Sequence, residues 1–154
     1  MHLSAHSTNT RMSSFDIVNL QRKVKFDISN IESFREHALS YLKEIKWDGF
    51  TVAFVSDRRM KELNSLFRGK DSTTDVLSFP HEPDEFDPDK NNLGDIVISV
   101  EQAQKQAVEN GLTLEGEIKQ LILHGVLHLC GYDHETDNGE MNERELELRE
   151  ELGI

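Results

Sequence analysis

The sequence is short of several residue types, and each scarcity excludes a class of protein. Cys130 is the one cysteine among 154 residues, so no disulfide can form within the chain. A fold held together by disulfides, as in small secreted domains, is therefore excluded. No stretch of 18 consecutive apolar residues occurs, and the polar start MHLSAHSTNTRMSS lacks the apolar core of a secretory signal. We expect a cytoplasmic protein with no membrane partner.

Basic residues are also scarce relative to acidic ones. Lysine and arginine number 17 against 29 aspartates and glutamates, which gives a net charge of −12. Because affinity for phosphates comes largely from lysine and arginine, this balance argues against a general nucleic-acid binder. Basic clusters nevertheless remain at Arg58, Arg59 and Lys61, and at Arg68 and Lys70. A single positive cleft that binds RNA stays compatible with the composition.

The hydrophobic pattern predicts one α+β domain. Residues 13–154 are of the size of one ordinary domain, and residues 1–12 are expected to form a flexible N-terminal extension. β-branched and aromatic runs predict strands, and apolar residues at helical spacing predict helices. The predicted strands cover 15–21, 50–56, 75–80 and 93–99. The predicted helices cover 30–46, 57–67, 100–110, 114–130 and 140–152.

This order of elements predicts a mixed four-stranded sheet packed with about five helices, one of which is buried at the centre. Ser29 or Asn30 is expected to cap the first helix, and Asp57 to cap the second. Residues 68–74 and 81–92 are expected to be loops.

The segment LILHGVLHLCGYDHE, residues 121–135, predicts a metal site. From Leu121 to Cys130 every residue except His124 and His128 is apolar or glycine, which is typical of a buried helix. Histidines four residues apart project from the same helical face. Burying polar groups without partners costs about 2–7 kcal/mol each, and one metal ion is a partner for both rings. Two core histidines satisfied by protein groups are the alternative.

Gly131 and His134 extend this pattern. Gly131 can end the helix in a left-handed turn, so that the chain folds back and presents His134 to the same ion. Three neutral histidine nitrogens leave one position of a tetrahedral zinc ion open for water, as in catalytic sites, and zinc lowers the pKa of that water to roughly 7. Cys130 lies on roughly the opposite face from His128 and is expected to be a small core residue. His81 is expected at the surface.

Gly125 separates this motif from that of the zinc proteases. Those enzymes use H-E-x-x-H, in which the glutamate is the general base. Gly125 occupies the position of that glutamate, so the usual proteolytic base is absent. Its small size predicts close packing of another backbone, which we favour, or access of a substrate. A peptidase-like zinc hydrolase therefore needs a base from elsewhere.

HGVLHLCGYDH resembles the signature of the YbeY family of bacterial metallo-endoribonucleases. LNSLFRGKDSTTDVLSFPHE (63–82) and LGDIVIS (93–99) are similar to other characteristic stretches of that family, as is the ending with Met141 and its acidic helix. The resemblance runs from about Phe15 to Leu152.

The resemblance implies a single-strand-specific endoribonuclease with one zinc ion, held by His124, His128 and His134. It implies a hydrolase that acts in maturation of the 3′ end of 16S ribosomal RNA and in late-stage ribosome quality control. The implied partners are single-stranded RNA, 16S ribosomal RNA, the small ribosomal subunit and proteins bound to it. The resemblance also marks Arg68, in the RGK segment, as important for activity.

Several roles stay open at the level of the sequence. The planar fork of Arg68 suits phosphate oxygens, although a solvated loop arginine is the alternative. Asp133 either orients a ligand histidine or caps the turn after Gly131. Met141 is either a hydrophobic floor under the metal or a core methionine, and the glutamates from Glu140 to Glu151 are expected on a solvated helix face. No general base is identified, and the nucleophile is either water or the 2′-hydroxyl. A non-catalytic, metal-stabilised module that binds the ribosome is a further alternative.

Overall fold

Nine helices and strands follow one another in the predicted order. The computed structural model describes residues 17–43, 49–81, 86 and 92–154. The elements are β1 (Ile17–Asn19), α1 (Ile28–Tyr41), β2 (Gly49–Val55), α2 (Asp57–Arg68), β3 (Val76–Pro80), β4 (Asn92–Ser99), α3 (Val100–Asn110), α4 (Leu114–Leu129) and α5 (Glu140–Leu152). The predicted N-terminal extension and most of the predicted loop 81–92 lie outside the described residues. No described helix is long and apolar enough to cross a membrane.

The four strands form one mixed sheet, as predicted, in the order β1-β2-β4-β3. β1 pairs with β2 and β2 pairs with β4 in parallel, whereas β3 pairs with β4 in antiparallel orientation. All eight residues of β4 are buried, because strands flank it on both sides and helices cover both faces. This explains why its sequence, NLGDIVIS, does not alternate regularly between apolar and polar residues.

The helices divide between the two faces of the sheet. α2 packs on one face, where its residues Met60 and Leu63 form a small core with residues of β2, β3 and β4. The strand residues of this core are Ala53, Val55, Leu77 and Val97. The intervening strand residues, among them Val52, Phe54, Ile96 and Ile98, point to the other face and join the larger core with α1, α3, α4 and α5. The side-chain period of two along a strand produces this division.

Two predicted helix starts differ from the structure. α1 is capped by Asp27, whose side chain accepts a hydrogen bond from the backbone N–H of Ser29. The prediction that Ser29 or Asn30 caps this helix is therefore wrong by two or three residues. α2 is capped by Ser56, which accepts from the backbone N–H of Arg59, so Asp57 is the first helical residue. A serine and an aspartate in sequence both suit the cap, and only the backbone geometry decides between them.

α1 also ends earlier than expected, at Tyr41 rather than near residue 46. Leu42 leaves the helical conformation, with φ −88° and ψ 89°, although its side chain remains buried in the core. The apolar spacing continues past the end of the helix because the chain after it still faces the core. Residues 44–46 of the predicted helix lie outside the described part of the chain.

Gly125 brings α4 against the sheet. A Cβ atom at this position would lie 2.9 Å from Cγ2 of Ile96 and 3.1 Å from Oγ of Ser78. The hydroxyl of Ser78 donates a hydrogen bond to the carbonyl oxygen of Gly125 at 3.2 Å. The close packing favoured from the sequence is confirmed, but the neighbours are strand side chains rather than another backbone. This contact fixes the helix that carries the two motif histidines beside β3.

Candidate metal centre

His124 and His128 lie one turn apart on the same face of α4. Their Nε2 atoms are 3.2 Å apart, and both side chains are half-buried. The rest of this part of the helix, from Leu121 to Leu129, packs into the larger core. The two imidazoles thus lie on the side of α4 that is not covered by the larger core.

A turn after α4 returns the chain to these histidines. Gly131 has φ +100°, in the region that favours glycine, and the backbone N–H of Tyr132 donates to the carbonyl oxygen of Leu127 at 3.0 Å. The ring of His134 then lies with its centroid 5.6 Å from that of His124 and 5.5 Å from that of His128. One ligand nitrogen from each of the three rings lies within 4.8 Å of the others.

Hydrogen bonds on the far side of two rings decide which nitrogen faces the centre. Nδ1 of His128 lies 3.1 Å from the carbonyl oxygen of Tyr132, and a carbonyl only accepts, so this Nδ1 carries a proton. Nδ1 of His124 lies 3.1 Å from Oε1 of Glu145 and donates to that carboxylate. In the neutral rings both Nε2 atoms therefore present lone pairs to each other at 3.2 Å. Two such lone pairs repel unless a cation lies between them.

The electrostatics of the centre favour a neutral His128 and an ionised Glu145. Burial lowers the pKa of His128, and the neighbouring His124 and His134 lower it further. The hydrogen bond with His124 lowers the pKa of Glu145 against the opposing effect of burial, and Arg149 adds to the lowering. A neutral imidazole has a lone pair for a metal ion. An ionised carboxylate behind a ligand histidine orients the ring and raises its basicity.

The arrangement fits a metal ion bound by three histidines. In a tetrahedral zinc site with Zn–N distances of about 2.0–2.1 Å, ligand nitrogens lie about 3.3–3.4 Å apart. The 3.2 Å between Nε2 of His124 and Nε2 of His128 is close to this spacing. Within the described ranges, the group of candidate ligands contains these three histidines and no fourth side chain. Such a donor set leaves a coordination position for a substrate or water.

A cleft of about 390 Å³ opens beside the three histidines. Arg68, the last residue of α2, lies at this cleft although it belongs to the opposite face of the sheet. β3 is the edge strand between the two, and its residues 76–78 form part of the wall. The structure therefore brings Arg68 to the same cleft as the predicted metal ligands. Asp133 and Glu135 also line it.

Asp133 lies in the turn that carries His134. One of its carboxylate oxygens accepts a hydrogen bond from the backbone N–H of Glu135 at 3.0 Å, which is the capping arrangement. Its negative charge also raises the pKa of His128, against the larger effect of burial. The hydrogen bonds that orient His124 and His128 come instead from Glu145 and Tyr132.

Glu145 is the functional residue that the sequence reasoning missed. The prediction that the glutamates of α5 lie on a solvated face is wrong at this position, where only 13% of the side chain is exposed. Glu145 follows Met141 by four residues and precedes Leu148 by three, so it shares their inward face. Both of those residues are buried and belong to the larger core, which is the core-methionine alternative for Met141.

The other predicted placements concern Cys130 and His81. Cys130 is half-buried and packs against the larger core, as expected for a small core residue. His81 is half-buried rather than fully at the surface, and it does not join the histidine cluster.

Comparisons with known proteins agree with this geometry. The family model described as "Endoribonuclease YbeY" matches residues 16–153. A protein named Endoribonuclease YbeY from Aquifex aeolicus is 45% identical over 143 residues, which cover 92% of each chain. The chain belongs to the YbeY family. Another member, from Nautilia profundicola, is 54% identical over 103 residues, which cover 67% of this chain and 71% of that protein.

A solved structure shares the fold of this YbeY-family chain. The solution structure of TM1509 from Thermotoga maritima matches with a TM-score of 0.59 at 32% sequence identity, and the match covers 88% of each chain.

Proposed function

We propose that this chain is a zinc-dependent endoribonuclease that hydrolyses phosphodiester bonds in single-stranded RNA. The observation that supports a metal ion is that the Nε2 lone pairs of His124 and His128 face each other, with His134 beside them. Membership of a family whose model is described as an endoribonuclease supports RNA as the substrate. One zinc ion, held by the three histidines, would be the cofactor.

The proposed cellular role is in maturation of the 3′ end of 16S ribosomal RNA and in late-stage ribosome quality control. The partners in this role are the small ribosomal subunit, its 16S ribosomal RNA and proteins bound to it, in the cytoplasm. Support for this part of the proposal comes from the resemblance of the motifs to the YbeY family.

The protein groups of the cleft have separable tasks in this reaction. When bound, the zinc ion would lower the pKa of a coordinated water and polarise a phosphoryl oxygen. Glu145 and the carbonyl of Tyr132 hold the ligand rings in orientation. Arg68 offers a planar cation to the phosphate, where negative charge accumulates as the bond breaks. Asp133 holds the turn that positions His134.

The packing of Gly125 argues against a peptidase of the H-E-x-x-H type. The position that holds the glutamate base in such enzymes faces Ile96 and Ser78 of the sheet. The Cβ atom of a glutamate there would lie 2.9 Å from Cγ2 of Ile96 and 3.1 Å from Oγ of Ser78, so the sheet would have to shift to admit it. The peptidase alternative therefore loses its usual base for a steric reason as well as a chemical one.

The decisive experiment compares the wild type with His128→Ala, both purified identically, on a labelled single-stranded RNA. The variant loses one of three ligands, so we expect it to lose most of its metal and at least about 100-fold in cleavage rate. Metal content by elemental analysis accompanies the assay. Equal cleavage by both proteins would assign the activity to a contaminating ribonuclease and overturn the proposal.

Arg68→Ala tests the phosphate-binding role. We expect unchanged metal content and a fall in cleavage rate on the order of 10²–10³, because a positioned cation at the reacting phosphate is lost. Arg22→Ala is a matched control, since Arg22 is exposed and follows β1, at the edge of the sheet opposite β3. Full activity of Arg68→Ala would reduce Arg68 to a solvated arginine.

A further inference from the structure

The outer face of α2 carries basic side chains in a protein that is otherwise strongly acidic. Five of the 17 lysines and arginines lie between residues 58 and 70, whereas the whole chain has a net charge of −12. Met60, Leu63 and Asn64 are the buried residues of this helix and mark its inner face. The basic residues of α2 are all exposed.

Three of these cations form a line along the helix. Arg58, Lys61 and Arg68 recur at intervals of three and seven residues, with Ser65 between the last two, so all lie on one side of α2. Ten residues at 1.5 Å each place Arg58 about 15 Å from Arg68 along the axis. We call this line the α2 basic stripe.

The ion pairs between the acidic residues nearby and the basic residues of α2 are long and exposed. Glu62 pairs with Arg59, which is not part of the stripe, at 4.0 Å. Asp71 lies 3.9 Å from Lys61, but its side chain is 87% exposed. Exposed ion pairs of this kind are weak and are screened by salt, so both cations stay accessible to a phosphate group.

The stripe ends at the candidate active-site cleft. Arg68, its last residue, lines that cleft together with His124 and His128. At the other end, Arg58, Lys61 and Ser65 line a shallow depression together with the acidic residues Glu62 and Asp71. Its apolar surface comes from Leu66, 73% exposed. A cationic path with an adjacent apolar surface therefore runs from the far end of α2 to the metal centre.

We infer that the α2 basic stripe binds the backbone of single-stranded RNA next to the scissile bond and guides the strand into the cleft. This inference rests on the proposed function for the identity of the ligand. A length of about 15 Å spans several phosphates, since those of a strand follow one another at intervals of a few ångströms. Arg58 and Lys61 bind the flanking phosphates, and the side chain of Leu66 offers an apolar surface to a base.

Salt-dependent binding of RNA tests this surface. The probe is a 20-nucleotide single-stranded RNA with phosphorothioate linkages, which keep the backbone charge and slow hydrolysis. Fluorescence anisotropy gives the affinity of the zinc-loaded full chain between 50 and 300 mM salt. Two lost phosphate contacts should reduce the slope of log K against log salt by about 1.4 for Arg58→Gln/Lys61→Gln. Near 0.1 M salt this corresponds to binding about 25-fold weaker than in the wild type.

A second pair of lysines supplies the matched control. Lys43 is exposed after α1, and Lys119 on α4 has its Nζ 5.8 Å from the ring centroid of Phe34. Both belong to the helices on the other face of the sheet. Lys43→Gln/Lys119→Gln changes the net charge by the same amount and should bind RNA as the wild type does. Equal salt slopes and affinities for the two double variants would overturn the inference, because only net charge would then matter.

The outcomes separate this inference from the proposed function. If the wild type binds RNA through the stripe but does not cleave it, the RNA-binding surface is supported and the proposed nuclease activity is wrong. If the wild type cleaves RNA but Arg58→Gln/Lys61→Gln binds RNA as tightly as the control variant, the nuclease activity is supported and the proposed binding surface is wrong. A wild type that binds no single-stranded RNA overturns both.

Discussion

Glu145 links the last helix to the metal centre through its two carboxylate oxygens. Oε1 accepts from Nδ1 of His124 at 3.1 Å, and Oε2 accepts from Nη2 of Arg149 at 2.7 Å. The arginine holds the carboxylate in place, and the carboxylate holds the imidazole. The orientation of His124, one of the candidate metal ligands, therefore depends on a residue 21 positions further along the chain.

Glu145→Ala should weaken zinc binding by about 10–100-fold, the usual cost of removing a partner behind a ligand histidine. Competition with a chromophoric chelator measures the affinity, and circular dichroism checks the helix content. Glu143→Ala is the control, because Glu143 is exposed on the same helix. Equal zinc affinities for the two variants would show that Glu145 has no effect on the metal centre.

The sequence could predict the three histidines but not Glu145. His124 and His128 are polar residues in an apolar helix, and that contrast is visible in the sequence alone. Glu145 is one of six glutamates between residues 140 and 151, and composition cannot tell them apart. Its spacing from Met141 and Leu148 is the one signal that marks it. That signal has meaning only once α5 is known to pack against α4.

Asp57, at the start of α2, fastens the loop that leads to the cleft. Its carboxylate accepts hydrogen bonds from the hydroxyl of Thr73 in the loop, from Ser99 at 3.0 Å and from Gln102 at 3.2 Å. Burial alone would raise the pKa of Asp57, but these hydrogen bonds outweigh it and hold the pKa below its ordinary value. Asn64 adds a hydrogen bond to the carbonyl of Ser72 at 2.8 Å. Two points on α2 thus fix the segment before β3.

Asp57→Asn should lower the free energy of unfolding by about 1–3 kcal/mol at pH 7. The substitution removes the charged acceptor to which Thr73, Ser99 and Gln102 donate hydrogen bonds. The folded pKa of Asp57 is lowered, so its contribution is complete above the unfolded pKa of about 3.9 and is lost as the pH falls through the folded pKa. The difference between wild type and variant should therefore shrink below about pH 4.

Urea unfolding at pH 7 and pH 3, with metal removed by a chelator, measures this difference. Asp71→Asn is the control, since the side chain of Asp71 is 87% exposed. A difference that persists at pH 3 would show that Asp57 acts through its shape rather than through its charge.

The elements were more predictable than their ends. All nine elements have the predicted type, because each strand and helix has a clear period of apolar residues. The ends of α1 were placed wrongly at both sides, since Asp27, Ser29 and Asn30 are all good caps and Leu42 continues the apolar spacing beyond the helix. A cap depends on backbone dihedral angles, which periodicity does not report.

The described residues form two hydrophobic cores, one on each side of the sheet, and neither core contains the histidines of the candidate metal centre. His124, His128 and His134 lie at the margin of the larger core, which is built from apolar residues of four helices. The strand order β1-β2-β4-β3, by contrast, depends on contacts between distant segments and could not be derived from local periodicity. The sequence predicted a mixed four-stranded sheet but not the position of each strand in it.

Removal of the metal should therefore leave the fold intact. A ligand present at 100 times its dissociation constant stabilises the folded state by about 2.7 kcal/mol, which for about 150 residues corresponds to roughly 5–10 °C in Tm. We expect the chelated protein to unfold cooperatively at a Tm lower by about that amount, with an unchanged far-ultraviolet spectrum. Calorimetry and circular dichroism check both. Loss of the transition on chelation would favour a metal-stabilised structural module over a catalytic site.

The two walls of the cleft differ in how firmly they are held. α4 lies over β4, which is paired on both sides and buried along its whole length. β3, on the other side of the cleft, is five residues long and pairs with a neighbour along one edge. Backbone hydrogen bonds at the edge of a sheet open more often than those at its centre, so β3 should open locally more often than β4. We therefore expect the amide hydrogens of β3 to exchange with solvent sooner than those of β4, while the helix that carries His124 and His128 stays in place.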